Sequence, residues 1–187
     1  MWRQFLAPSE ARGWELWGKR AVVLGAGGAA RTAAWVLSRQ GAEVAIAGRD
    51  RGRTAALAEA VGVQATAWPP EGEWDLLVNA TPVGTWPGHE HAPISLASVK
   101  AERVYDLVYN PEDTRLLRDA RAAGADTMGG LDLLLAQAAR QFEWWTGQAA
   151  PVEVMRAAAL AFLAASSPDH EEEEESDWDW TNEADNL

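Results

Sequence analysis

The sequence predicts an α/β fold built on a doubly wound parallel sheet, and three observations carry that expectation. Short apolar runs alternate along the chain with longer helical patterns, the rhythm of strands joined by crossover helices. The first such run, Arg20-Ala21-Val22-Val23-Leu24, turns through Gly25-Ala26-Gly27-Gly28-Ala29-Ala30 directly into a helical pattern. A hydrophobic content of 48% over 187 residues is ample for one packed core.

The elements follow in order. Trp2 to Arg12 reads as a short helix ended by Gly13, and Arg20–Leu24 as the first strand. Ala29–Arg39 is its crossover helix, closed by Gly41, and Glu43–Ala47 is the second strand. Arg51–Val61 reads as a helix with Asp50 placed to cap it, and Gln64–Ala67 as a short third strand. Trp74–Val78 and Val104–Val108 are the fourth and fifth strands. Helix Thr114–Ala123 and a short strand near Asp126–Met128 precede a long helix, Leu131–Trp145. A last helix, Pro151–Ala165, starts on proline. Together these describe a Rossmann-like domain over residues 1–165 with a helical C-terminus.

Composition narrows the classes. The chain has no cysteine, which removes disulfide frameworks and thiolate metal sites. No window approaches the ~20 apolar residues of a membrane span, and the N-terminus shows no basic-then-apolar signal pattern, so a cytoplasmic protein is expected. The net charge of −12 is concentrated at one end: ten acidic residues and no Lys or Arg lie from Asp169 onward, leaving 18 acidic against 16 basic elsewhere. Self-repelling acid with little to bury predicts a disordered tail over 166–187, the alternative being that Trp178 and Trp180 dock on a basic partner. A near-neutral domain argues against nucleic-acid binding.

The glycine loop predicts a phosphate cradle. Gly25 permits the tight turn, Gly27 admits close backbone approach, and Ala30 in third place still allows close helix–strand packing. Ala26, Gly28 and Ala29 complete the loop, and the helix adds unpaired N–H groups and a positive dipole end. At the end of the second strand, where an acidic residue would bind a free ribose 2′-hydroxyl, stands Gly48, followed by Arg49-Asp50-Arg51-Gly52-Arg53. Guanidinium groups beside a small residue suit a 2′-phosphate, which arginine grips bidentately, and so favour NADP. Asp50 keeps NAD open.

Four further segments carry a family signal: Asn79-Ala80-Thr81-Pro82-Val83-Gly84, Asp106-Leu107-Val108-Tyr109-Asn110-Pro111, Gly130-Leu131-Asp132-Leu133-Leu134-Leu135-Ala136-Gln137 and Gln141-Phe142-Glu143-Trp144-Trp145-Thr146-Gly147. With the glycine loop in front, the chain from about Trp2 to Leu163 resembles the nucleotide-binding domain of shikimate dehydrogenases. Glutamyl-tRNA reductases share the glycine loop and the arginine cluster, but not the later segments together. The resemblance implies NADP contacts at Gly25 to Ala29, at Gly48 to Arg53, and near Leu107 and Gly130, with Tyr109 and Gln137 facing the shikimate ring. The chain departs from the family at Thr85 and Leu133, where methionine is common, and at Gly48, where asparagine is usual.

The resemblance also implies a separate N-terminal substrate domain of about a hundred residues, whose Lys–Asp pair handles the proton in the exchange of shikimate and 3-dehydroshikimate. This chain begins after the family's Asn-Thr-Asp segment. The expectation is therefore a domain inactive alone, binding substrate only with the missing domain: either a truncated product or a non-catalytic NADP-binding module served by a separate subunit. Its two lysines, Lys19 and Lys100, fall before or near the starts of strands, away from the binding edge, so no catalytic residue is assigned. His89 and His91 in a loop read as exposed rather than as metal ligands, and Trp144-Trp145, at helical spacing beside Phe142, as core and domain edge. Apolar residues of the first and last helices (Phe5, Leu6, Val154, Leu160, Phe162) are expected to form an exposed patch that drives self-association.

Overall fold

Strand β1 (Arg20–Leu24) lies at the centre of the molecule and is its most buried strand, with Ala21 to Leu24 all 0% exposed. A strand covered on both faces needs apolar residues at every position, not at alternate ones. The computed structural model describes residues 2–97 and 99–165. Around β1 stand β2 (Glu43–Ala47), β3 (Gln64–Ala65), β4 (Gly72–Asn79), β5 (Val99–Asp106) and β6 (Asp126–Met128). All pair in parallel, in the order β3-β2-β1-β4-β5-β6. The chain winds outward from β1 to β3, then crosses back to β4 and winds the other way. That reversal between β1 and β4 is where open α/β sheets bind ligands, at the carboxyl ends of the strands.

The helices are α1 (Trp2–Ala11), α2 (Gly28–Arg39), α3 (Arg51–Val61), α4 (Arg115–Ala122), α5 (Gly130–Thr146) and α6 (Val152–Ala165). Alternate strand residues feed two apolar layers. Ala21, Val23, Val44, Ile46, Leu76 and Val78 pack in one cluster with Ala30, Ala33, Ala34 and Leu37 of α2. Val22, Leu24, Leu77 and Val104 pack in the other with Leu116, Leu117 and Ala120 of α4. The chain divides into two compact units, Met1–Ala150 and Pro151–Leu187. The sheet and α1–α5 belong to the first, and α6 to the second. The acidic segment 166–187 lies outside the described residues. Among those described, no helix is long and apolar enough to cross a membrane.

Helix and strand bounds agree with the sequence reading to within one residue at most ends, and the exceptions have causes. β4 and β5 start earlier than their apolar runs, because Gly72 to Trp74 pair with Val99 to Ala101 and Lys100 Nζ meets Glu73 Oε1 at 3.1 Å. Such polar, exposed pairing leaves no hydrophobic signature. β5 stops at Asp106 rather than Val108, since the Val108 N–H turns to donate to the Asp106 carboxylate. Asp50 caps α3 as expected, accepting from the Arg53 N–H at 3.0 Å.

Two expectations are corrected. Phe5 and Leu6 are not exposed: they are 4% and 2% accessible, because α1 packs on α2 and α5 and the Phe5 ring meets Tyr105 at 5.4 Å. Two of the five residues of the supposed self-association patch are therefore core. In α6 itself Val154 and Phe162 are exposed. Conversely, Trp144 and Trp145 are 78% and 74% exposed, since α5 presents Leu131 and Leu135 to the core and turns its last residues outward.

At the amino edge of the sheet, Asp75 joins the two innermost strands. Its carboxylate accepts from the Arg20 backbone N–H at 2.7 Å and from Lys19 Nζ at 3.1 Å. The Arg20 N–H above all, helped by Lys19, holds this carboxyl below the ordinary aspartate range against the opposing effect of burial. A lowered folded-state value stabilises the protein above about pH 4 and ceases to do so as pH falls through it. Asp75→Asn should therefore cost about 1–2 kcal/mol at pH 7. Urea denaturation in a pH series should show the gap between parent and variant closing below about pH 4.

Candidate functional site

Past Leu24 the chain enters Gly25 at φ +112°, a conformation that favours glycine. A Cβ there would stand 2.9 Å from the Ala80 carbonyl oxygen, so the loops after β1 and β4 touch only because no side chain intervenes. Gly27 caps α2 in extended geometry, with no side chain bonded to the helix's first N–H groups. Gly27 and Gly28 each have open space where a Cβ would be. Free N–H groups, the positive dipole end and unobstructed backbone make this terminus suited to an anion.

Beside the loop lies an open cleft of about 610 Å³. It gathers Gly25, Ala26 and Gly27 from the first loop, Gly48, Arg49, Asp50 and Arg53 from the second, and Ala80, Thr81 and Pro82 from the loop after β4. Trp68, just beyond β3, completes the lining. Seven of the residues singled out from the sequence thus converge. Gly28, Ala29, Arg51 and Gly52 neighbour it in sequence without lining it, and Arg51 is exposed to solvent. Among the described residues Arg49, Arg51 and Arg53 form no ion pair, and two of these guanidinium groups, those of Arg49 and Arg53, belong to the cleft wall. Asp50 is engaged as the cap of α3. Sequence reasoning missed Trp68, Ala80, Thr81 and Pro82 as wall residues. For the last three the signal was present, since their segment runs off the carboxyl end of β4.

The other implied contacts lie across the reversal point. Gly130 opens α5 and donates its N–H to the Val108 carbonyl at 3.1 Å. A Cβ on Gly130 would fall 2.2 Å from the Leu107 carbonyl oxygen, so this glycine is required for the loop after β5 to meet α5. Tyr109, 47% exposed, stands on that loop. Gln137 lines a separate hollow of about 370 Å³ with Gln4, Arg140, Gln141 and Trp144, and Tyr109 is not part of that lining. Lys19 and Lys100 are at the opposite, amino edge, paired with Asp75 and Glu73 at 3.1 Å each. A third cleft, about 520 Å³, opens there among Arg20, Glu73, Asp75 and Lys100; Glu73 is paired with Lys100 and Asp75 with Lys19. His89 stacks on Trp86 and its Nε2 meets Glu90 at 3.3 Å; among the described residues no three potential ligands converge for a metal.

One buried network fixes the loops around the site. Asp106, 0% exposed, accepts from Asn79 Nδ2 at 2.8 Å, from the Val108 N–H at 3.0 Å and from Thr114 Oγ1 at 2.7 Å. Asn79 Oδ1 in turn accepts from the N–H and hydroxyl of Thr81, and Thr114 caps α4. Burial pushes the Asp106 carboxyl up, while its three donors oppose the shift.

An open parallel sheet with a glycine loop at its reversal point and a helix N-terminus behind that loop defines a Rossmann-like α/β domain. The family description "Shikimate / quinate 5-dehydrogenase" matches residues 6–73, and "Shikimate 5'-dehydrogenase C-terminal domain" matches residues 130–160. The shikimate dehydrogenase (NADP(+)) of Methanopyrus kandleri is 46% identical over 161 residues, covering 78% of this chain and 56% of the relative. That of Symbiobacterium thermophilum is 42% identical over 175 residues, covering 85% and 60%. Among solved structures, the shikimate 5-dehydrogenase of Thermus thermophilus in complex with NADP(H) and shikimate superposes with a TM-score of 0.76 at 39% identity, over 84% of this chain and 60% of that one. The chain belongs to the shikimate dehydrogenase family, and it spans less than two thirds of the length of these relatives.

Removing the acceptor at the centre of the buried network should be costly. Asp106→Ala removes the acceptor of the Thr114 hydroxyl and the Val108 N–H and leaves Asn79 Nδ2 only its longer bond to the Val83 carbonyl, where water does not reach, at about 3 kcal/mol. Asp106→Asn retains one oxygen for Asn79 and Val108 and should cost less, in the same denaturation measurement.

Proposed function

We propose that this chain is the NADP-binding domain of a shikimate dehydrogenase, the part of the enzyme that presents the cofactor for exchange between shikimate and 3-dehydroshikimate. One observation carries the reading: an unobstructed glycine loop and two arginines that form no ion pair among the described residues, Arg49 and Arg53, line a single cleft at the reversal point of the sheet. The cradle fits a dinucleotide phosphate, because Gly27 and Gly28 leave backbone exposed at the α2 terminus. Arg49 and Arg53 grip the 2′-phosphate, with Gly48 leaving room beside them. Asp50 is held as the cap of α3 through one carboxylate oxygen, which accepts from the Arg53 N–H. Leu107 and Gly130 border the nicotinamide end, and Tyr109 and Gln137 face substrate. When bound, the cofactor supplies the hydride acceptor or donor.

Among the described residues, neither lysine is placed to take the hydroxyl proton. Both of its lysines are ion-paired at the amino edge, across the sheet from the cleft. General acid–base help is worth roughly 10² to 10⁴ in rate, and positioning of the ring adds more.

Two measurements test these readings. In fluorescence titration the chain should bind NADPH more tightly than NADH, and Arg49→Ala with Arg53→Ala should remove most of that difference, on the order of 2–4 kcal/mol for two charge-assisted contacts. Equal affinity for the two cofactors in the parent chain would sink the NADP assignment. In an assay with shikimate and NADP, a preparation free of host dehydrogenase should show no measurable turnover. A rate comparable to that of a complete enzyme would overturn the second reading.

A further inference from the structure

We propose that Trp68 is the platform on which the adenine base of the dinucleotide stacks; this rests on the NADP reading above and adds a residue to it. Its placement follows from the sheet. After β3 the chain stays in register one step longer, the Thr66 N–H donating to the Ile46 carbonyl at 2.9 Å. Trp68 therefore emerges at the same carboxyl edge as Gly25 and Gly48, and it lines the same cleft.

The lateral order of the strands then assigns its role. The phosphate loop follows β1, and the arginines for the 2′-phosphate follow β2. Continuing outward, β3 is next and last, and its end carries Trp68. A dinucleotide whose pyrophosphate sits at α2 and whose 2′-phosphate sits at Arg49 and Arg53 has its base at this end.

The chemistry of the wall agrees. Among the described residues Trp68 is the one aromatic side chain lining the cleft, whose other walls are glycine, alanine, threonine, proline and charged residues. It is half-buried and packs on the apolar cluster that contains Val22, Leu24 and Ala47. One side of the indole is thus anchored on the sheet, and the remainder faces the cleft. A fixed π-face at the rim of a polar cleft suits a flat heteroaromatic base, for which stacking on an aromatic side chain is a recurrent source of affinity.

The test uses adenosine 2′,5′-bisphosphate, which carries the base and the 2′-phosphate without the nicotinamide half. By calorimetry Trp68→Leu, which keeps an apolar cover over the sheet but no π-face, should weaken binding about tenfold, and Trp68→Phe should restore most of it. The ethenoadenine analogue of the same bisphosphate should be quenched on binding the parent chain and markedly less on binding Trp68→Phe. Parent-like affinity in Trp68→Leu would overturn the proposal and leave the cofactor reading standing. Failure of the parent chain itself to bind the bisphosphate would overturn the cofactor reading first, and this proposal with it.

Discussion

The carboxyl edge of the sheet is organised around a carboxylate that water does not reach. Asp106 ends β5 with its side chain between β4 and α4, where each of its oxygens is claimed by a donor from a different segment. A buried charge is tolerable only when its hydrogen-bonding capacity is filled, and here the donors come from the pieces of chain that must be aligned to form a binding edge. Asn79 passes the constraint to Thr81, which lines the cleft, and Thr114 passes it to α4. Val108 passes it to the loop that meets α5 at Gly130. The local order of the site is thus set from within the sheet.

The two edges of the sheet divide the work. At the amino edge, Asp75 and Glu73 answer Lys19 and Lys100 and tie neighbouring strands together through charge. At the carboxyl edge the arginines of the β2 loop have no acidic partners among the described residues, and the glycines leave backbone uncovered. Compensated charge stabilises, whereas uncompensated charge beside exposed N–H groups waits for an anion. The same logic explains why both lysines lie far from the chemistry that the family resemblance implies.

Most of this was legible in the sequence because the signals were local. A buried parallel strand is a continuous apolar run, a cap is a short polar residue before a helix, and Gly25 to Gly28 announce a turn into a helix terminus. What sequence missed depended on partners far away in the chain. The extra residues of β4 and β5 are polar and exposed, and they are strand only because each pairs with the other. Phe5 and Leu6 looked like an unpartnered stripe until α2 and α5 covered them. Trp68 carried no motif at all, because its place in the cleft comes from the lateral order of β1, β2 and β3.

Gly48 shows how one residue can satisfy a site and a scaffold together. Read in the sequence, its small size leaves room for a phosphate. In the structure, a Cβ at this position would fall 2.5 Å from Thr54 Oγ1. Thr54 cannot easily yield, because it is 2% exposed and its hydroxyl donates to the Asp50 carbonyl at 2.7 Å. The threonine thus forbids at this strand end the asparagine usual in the family, unless the first turn of α3 is repacked. With no side chain at Gly48, the wall of the cleft on this side is left to Arg49, Arg53 and Trp68. The departure from the family at Gly48 and the arginines beside it, which form no ion pair among the described residues, are two sides of one arrangement.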